Sequence, residues 1–214
     1  MRLSPYIATS LIIINISLII LLLFDKTAIH LAMTPNSATP LDPIMAQLTH
    51  VGDGLVPVIV LAILSYFVPF RTWITGVAAS IFTGILVQFF KKIVFPEYRR
   101  PAALIDNDLL HFVDGVKIHH MYSFPSGHTA TVFGLFIFLA FVWRKHPWLQ
   151  VLLALFSTLV AYTRIYLSQH FLEDTVFGAL LGIIAFIVAY ALLYKRINID
   201  DKRTVFQLGK KAKL

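Results

Sequence analysis

The chain has 214 residues, 58% of them apolar and only 14% charged, with a mean hydropathy of +0.78. A soluble domain is typically about 45–50% apolar and about 25% charged, so disordered, collagen-like and ordinary globular architectures are excluded, and the absence of cysteine removes disulfides, thiolate nucleophiles and Cys-ligated metals. Eighteen Lys and Arg against eleven Asp and Glu give a net charge of +7, but the cations stand between long apolar runs, as in a membrane protein rather than a nucleic-acid binder.

The first apolar run, Ile7–Phe24, follows Arg2 in the manner of a signal peptide, yet no Ala-x-Ala-like site follows it. It is expected to be retained as a helix. Five further stretches lack Asp, Glu, Lys and Arg: Gly54–Phe70, Thr72–Phe90, Thr129–Trp143, Pro147–Thr163 and Thr175–Tyr194. Crossing a hydrocarbon core takes roughly 20 mostly apolar residues at about 1.5 Å per residue, and backbone polar groups in lipid must be paired within the segment. The run lengths, with no strict two-residue alternation, predict an all-α fold: a bundle of six transmembrane helices over about 7–24, 54–70, 72–90, 128–143, 147–164 and 174–194. Residues 1–214 then form one integral-membrane domain.

Two longer connections remain, Asp25–Asp53 and Lys91–Pro125. In the first, Asp42-Pro43 reads as an N-cap and first helical residue, with Ile44, Met45 and Leu48 on one face, so a short interfacial helix is expected there. Six spans place both termini on one side. That side collects Arg2, Arg71, Arg144, Lys145, Lys195, Arg196, Lys202, Arg203, Lys210, Lys211 and Lys213. The opposite side holds seven cations, five of them near the ends of the third and fifth runs. The positive-inside rule therefore predicts cytoplasmic termini and outward-facing long connections in a cytoplasmic membrane. The basic tail from Lys195 reads as a topology signal touching anionic lipid, with no nucleic-acid role.

Helix polarity alternates along such a chain, so the ends of the third and fifth spans meet the starts of the fourth and sixth. Those ends carry Lys91-Lys92, then Arg99-Arg100-Pro101; Pro125-Ser126-Gly127-His128; Thr163-Arg164; and His170 with Glu173 and Asp174. Ionisable residues converging at membrane helix ends point to function. Ser126 and Gly127 open a helix and offer backbone N–H groups to an anion. Arg100 and Arg164 suit bidentate grip of phosphate oxygens, and a lysine adds a point charge. His170 and Asp174 stand i, i+4 on one face, so the carboxylate can fix the imidazole tautomer and leave the other nitrogen to attack or to take a proton. His128 is a second imidazole, available as a general acid. The set fits displacement at phosphorus, whose transition state spreads negative charge over equatorial oxygens. Arg99 reads as a helper or solvated charge, Glu173 as solvated, and His119 and His120 as solvent-exposed loop residues; no metal site is expected.

These residues resemble the type-2 phosphatidic acid phosphatase family, whose signature is Lys-x6-Arg-Pro, then Pro-Ser-Gly-His, then Ser-Arg-x5-His-x3-Asp. The second block is present whole at Pro125–His128, and the third runs from Thr163-Arg164 through His170 to Asp174, with Thr for the leading Ser. The first block departs: Arg100-Pro101 fits, but Lys91 and Lys92 stand nine and eight residues before Arg100, and either can serve. The resemblance implies a metal-independent, cofactor-free phosphatase acting through a phosphohistidine. His170 would be its nucleophile, Asp174 the orienting partner and His128 the proton donor. Lys91 or Lys92, Arg100, Ser126, Gly127 and Arg164 would hold the phosphoryl group. The implied substrate is a lipid phosphate, with polyprenyl pyrophosphate the first expectation, then phosphatidylglycerol phosphate, phosphatidic acid or lipid A phosphate. Competing readings are lipid-to-lipid phosphotransfer, a serine hydrolase using Ser126, and a transporter; Ser126 lacks a Gly-x-Ser-x-Gly setting, and no paired broken helices are evident. Nothing in the sequence indicates an oligomeric state.

Overall fold

A computed structural model describes residues 4–196 and 203–210. Among these residues the structure is helical, without strands. The helices are α1 (Pro5–Leu23), α2 (Lys26–Met33), α3 (Asp42–Leu48), α4 (Leu55–Leu64), α5 (Phe70–Phe89), α6 (Gly127–Val142), α7 (Pro147–Tyr166), α8 (Leu172–Ala189) and α9 (Val205–Lys210). Each of the six charge-free runs contains most of one of these helices, though in Gly54–Phe70 that helix covers only Leu55–Leu64, because an apolar run in lipid has no other way to satisfy its backbone. Helix starts follow local chemistry. Ser4 and Asp25 cap α1 and α2 with their side chains, and Pro147 opens α7 where its missing N–H is harmless.

Among the described residues four helices are long and apolar enough to cross a membrane: Pro5–Leu23, Phe70–Val94, Pro147–Tyr166 and Leu172–Tyr194. The expected straight span over 54–70 is instead a bent pair, Asp42–Gly52 and Leu55–Leu64, meeting at 61°. The break falls at Asp53-Gly54, where the aspartate side chain turns to two histidines, and residues after Leu64 form turns before α5. Helix α6 has only 16 residues, yet its flanks are the most completely buried in the molecule. The first connection also holds α2, which the hydropathy pattern does not reveal. In α3, Asp42 is the first helical residue rather than the N-cap. Its carboxylate accepts hydrogen bonds from Tyr166 (2.6 Å) and His111 (2.8 Å) instead. Met45 is buried while Ile44 is exposed, so the expected apolar face is split.

The bundle centres on α6 and α8, flanked by α5 and α7, with α1 against α7 and α8. Two glycines set this crossing. A Cβ on Gly182 would lie 2.3 Å from the Ala130 carbonyl oxygen, and one on Gly178 would lie 2.6 Å from that of Ser126. The small-xxx-small spacing lets the two backbones touch and brings the first turn of α6 onto the first turn of α8. The outer faces of α1, α4, α5 and α7 carry exposed Ile12, Ile19, Leu22, Ile59, Ile81 and Leu155, a continuous apolar mantle of the kind that faces lipid.

Charge divides between the two ends. Phe70 donates to the Arg203 carbonyl, Arg71 to that of Tyr194, and Tyr66 stacks on Phe206, so the segments bearing Arg71, Arg144, Lys145 and Lys195 lie together at one end. Arg2, Lys202, Lys211 and Lys213 of the expected basic side lie outside the described residues. The ionisable cluster occupies the other end.

Candidate active site

His170 and Asp174 are 1% and 0% exposed, and Nδ1 of the ring lies 3.2 Å from the Asp174 Oδ2. The same oxygen accepts from the Phe171 N–H (2.9 Å) and from the Ser123 hydroxyl (2.5 Å). Three donors on one buried carboxylate oxygen fix it, and through it the imidazole. Nε2 of His170 is the ring nitrogen left off the carboxylate. Burial, followed by the charges of Arg100, Arg164, Lys91 and His128, holds the ring well below its ordinary pKa of 6.5. It is therefore neutral at physiological pH, the form of an imidazole that can act as a nucleophile.

Around this dyad stand the predicted cations. The Arg100 guanidinium is held by its Nε to the Met121 carbonyl (2.9 Å) and by one terminal nitrogen to the Gln169 side chain (2.9 Å) and backbone (3.1 Å). Arg164 donates to the Thr49 hydroxyl at 2.7 Å, and its buried Nε has no partner among the described residues. The Arg164 carbonyl in turn accepts the N–H groups of Gln169 and His170, so the end of α7 positions the His170 backbone. Lys91 and Lys92 differ. Lys91 is half-buried and interacts electrostatically with Arg100, Arg164 and Asp174, whereas Lys92 is exposed. Both lie in a π turn, Phe90–Val94, closed by the Phe95 N–H on the Phe90 carbonyl. Such a turn takes one residue more than an α turn, which accommodates part of the extra length before Arg100.

Pro125, after a cis Phe124–Pro125 bond, leads into α6. Ser126 departs from expectation: its N–H is not open to an anion but donates to the Asp174 carbonyl (3.0 Å), while its hydroxyl caps the helix against Thr129. The open donors of this turn are the N–H groups of Gly127 and His128, which have no carbonyl partner within the helix. Buried and engaged in capping, with no histidine on it, the Ser126 hydroxyl lacks the setting of a serine nucleophile. Thr163 bonds its own helix at the Val160 carbonyl. Glu173, expected in solvent, is only 27% exposed and lies 3.7 Å from Lys26, because the start of α2 packs beside the start of α8. Arg99, His119 and His120 are exposed, as expected.

Several contributors escape a sequence reading. Ser123, Gln169 and Thr49 are buried hydrogen-bonding partners of Asp174, Arg100 and Arg164, and Asp53 lies 2.7 Å from His128 Nε2. The positive φ values of Tyr122 (58°) and Ser168 (50°) stand immediately before Ser123 and Gln169. Non-glycine residues held in this region cluster at functional sites.

The profile described as the PAP2 superfamily matches residues 72–198. Among characterised sequences, a lipid A 4'-phosphatase of Bacteroides thetaiotaomicron is 41% identical over 75 residues, 35% of this chain and 32% of that protein. The alignment thus spans about a third of that relative's length. Phosphatidylglycerophosphatase B of Bacillus subtilis is 27% identical over 163 residues, 68% of this chain and 72% of that protein. The crystal structure of Aquifex aeolicus LpxE superposes with a TM-score of 0.62 at 29% identity, covering 72% of this chain and 88% of that one. That of the Bacillus subtilis PAP2-type phosphatidylglycerolphosphate phosphatase gives 0.60 at 20% identity, covering 92% and 98%; this second likeness concerns the fold alone.

Proposed function

The chain belongs to the PAP2 superfamily, and from that premise we propose that it is a membrane lipid phosphatase working through a phosphohistidine. The observation that carries the reading is a neutral, buried imidazole, fixed by a carboxylate and ringed by three cations. Nε2 of His170 attacks phosphorus as the bond to the leaving oxygen breaks, and His128 delivers its proton to that oxygen. Asp174, held by Ser123 and Phe171, stabilises the charge that the His170 ring acquires. Lys91, Arg100, Arg164 and the N–H groups of Gly127 and His128 take the equatorial oxygens. Water then attacks the phosphohistidine, giving up its proton to His128 as inorganic phosphate leaves His170. No cofactor enters the scheme.

The apolar mantle, which suits a bilayer, supports a lipid phosphate as the substrate. The named relatives favour a lipid A phosphate or phosphatidylglycerol phosphate; polyprenyl pyrophosphate, the first expectation, draws no support from them and is kept as a further candidate. Six spans in one domain are the topology we favour, with α6 and with α4 and the turns after it as the two shorter crossings, and α3, bent by 61° from α4, in the interface. The end rich in Arg71, Arg144, Lys145 and Lys195 then lies in the cytoplasm with both termini, and the site opens at the outer face of the cytoplasmic membrane.

The test is phosphate release in detergent micelles, with chelator, from a panel of these lipids. Wild-type protein is expected to turn over at least one, and His170→Ala to lose about 10³-fold or more of that rate. Retained turnover in His170→Ala would sink the assignment.

A further inference from the structure

The turn Thr49–Gly52 and the residue after it lie outside the family-matched residues 72–198, yet they close one wall of the site. Thr49 accepts from Arg164. A Cβ on Gly52 would lie 2.8 Å from the Cβ of His128, so this backbone approaches His128 as closely as only glycine allows. Asp53 follows at once. Its Oδ1 lies 2.7 Å from His128 Nε2, and its Oδ2 lies 2.8 Å from Nδ1 of His50. Two rings therefore hold one carboxylate in a single orientation.

His128 needs such a partner. The groups facing it are Lys91 from the π turn, Arg164 from α7, His170 from the turn before α8, and Asp53 with His50 from the segment before α4. Burial above all, then Arg164 and Lys91, opposes a positive charge on the ring, and Asp53 acts against all three. A general acid must carry a proton before the reaction begins, and Asp53 is the anion in direct contact. We propose that Asp53 is a positioning residue for the reaction, the counter-charge that orients His128 and favours its protonated form until the leaving oxygen takes the proton. The proposal rests on the phosphatase reading above. His170 and its cations bind and attack the phosphoryl group; Asp53 acts only through His128, as the P–O bond breaks and the proton passes to the departing oxygen.

The experiment compares wild type, Asp53→Asn and Asp53→Glu across pH on a lipid monophosphate, whose alkoxide leaving group needs a proton, and on p-nitrophenyl phosphate, whose leaving group does not. Thermal unfolding in detergent checks that each variant is folded. Asp53→Asn is expected to lower kcat/KM on the lipid, which reports transfer to His170, on the order of tenfold or more and to move the basic limb of its pH profile about one unit toward acid. Its kcat/KM on the aryl phosphate, which reports the same transfer before His128 takes a proton from water, should stay within about twofold, and Asp53→Glu should restore the wild-type limb. An Asp53→Asn profile that merely scales down, with both substrates losing equally, would overturn the proposal, as would an unchanged rate. Should Asp53→Asn fail to fold, a displaced basic limb in Asp53→Glu, where the charge is kept, would overturn it. Failure of the phosphatase reading looks different: His170→Ala would retain turnover, or wild type would release no phosphate.

Discussion

His30 sits behind the turn that carries His170, fully buried in α2, with Nε2 3.2 Å from the Ser168 hydroxyl and its ring edge-on to Phe171 at 5.4 Å. It thereby braces the turn that carries Gln169 and His170. Burial pushes its pKa from 6.5 down to about 4, and burial with neighbouring cations moves His170 in the same direction. Below pH 6.5 the unfolded chain binds these protons and the folded chain does not, so stability is fully present above 6.5 and falls as the pH drops toward 4. At 1.36 kcal/mol per pKa unit, His30 alone accounts for a loss on the order of 3 kcal/mol across that window. Thermal unfolding of wild type at pH 7 and at pH 4.5 should show this drop. His30→Gln should start lower at pH 7 yet lose distinctly less between the two; equal losses would mean that His30 does not titrate on unfolding. The His170–Asp174 dyad was legible in the sequence because i, i+4 residues share a helix face whatever the tertiary fold. The contacts of Thr49, Asp53, Ser123 and Gln169 were not: Thr49 and Arg164 are 115 residues apart, and only the packed bundle brings such pairs together.

At the level of elements, the active site depends on how closely α6 approaches α8. The Ser126 N–H reaches the Asp174 carbonyl at 3.0 Å, a direct tie between the two first turns that carry His128 and Asp174. That tie exists because Gly178 and Gly182 let the helix backbones meet. Gly182→Ala would put a methyl 2.3 Å from the Ala130 carbonyl oxygen, against backbone that no side-chain rotation can clear. The variant is expected to lose about 1–3 kcal/mol, read as a lower Tm in detergent, and to lose activity as the helix ends separate. An unchanged Tm would show that α6 can shift without cost. The helices themselves were legible, since a charge-free run is a local property. Their ends were less so: the α4 break at Asp53, the π turn at Lys91 and the short α2 all answer to neighbours rather than to hydropathy.

For the whole molecule, sidedness follows from which groups water must reach. One end gathers Arg71, Arg144, Lys145 and Lys195; the other gathers charges that point inward at a common centre, with exposed Asp114, His119 and His120 on the connection above it. Cations that serve chemistry do not report topology, so the cations of the site should be left out when the sides are compared. What remains favours the first end as cytoplasmic, and the absence of cysteine in the chain makes that directly measurable. Asp114→Cys and Lys145→Cys each introduce a single thiol at an exposed position, one at each end. In right-side-out spheroplasts a membrane-impermeant maleimide should label Asp114→Cys within minutes and leave Lys145→Cys unlabelled until the membrane is permeabilised. The reverse pattern would turn the site toward the cytoplasm and exclude substrates confined to the outer leaflet. Labelling of both positions in sealed spheroplasts would mean that the two ends do not lie on opposite sides of one bilayer, and the six-span topology would then have to be abandoned.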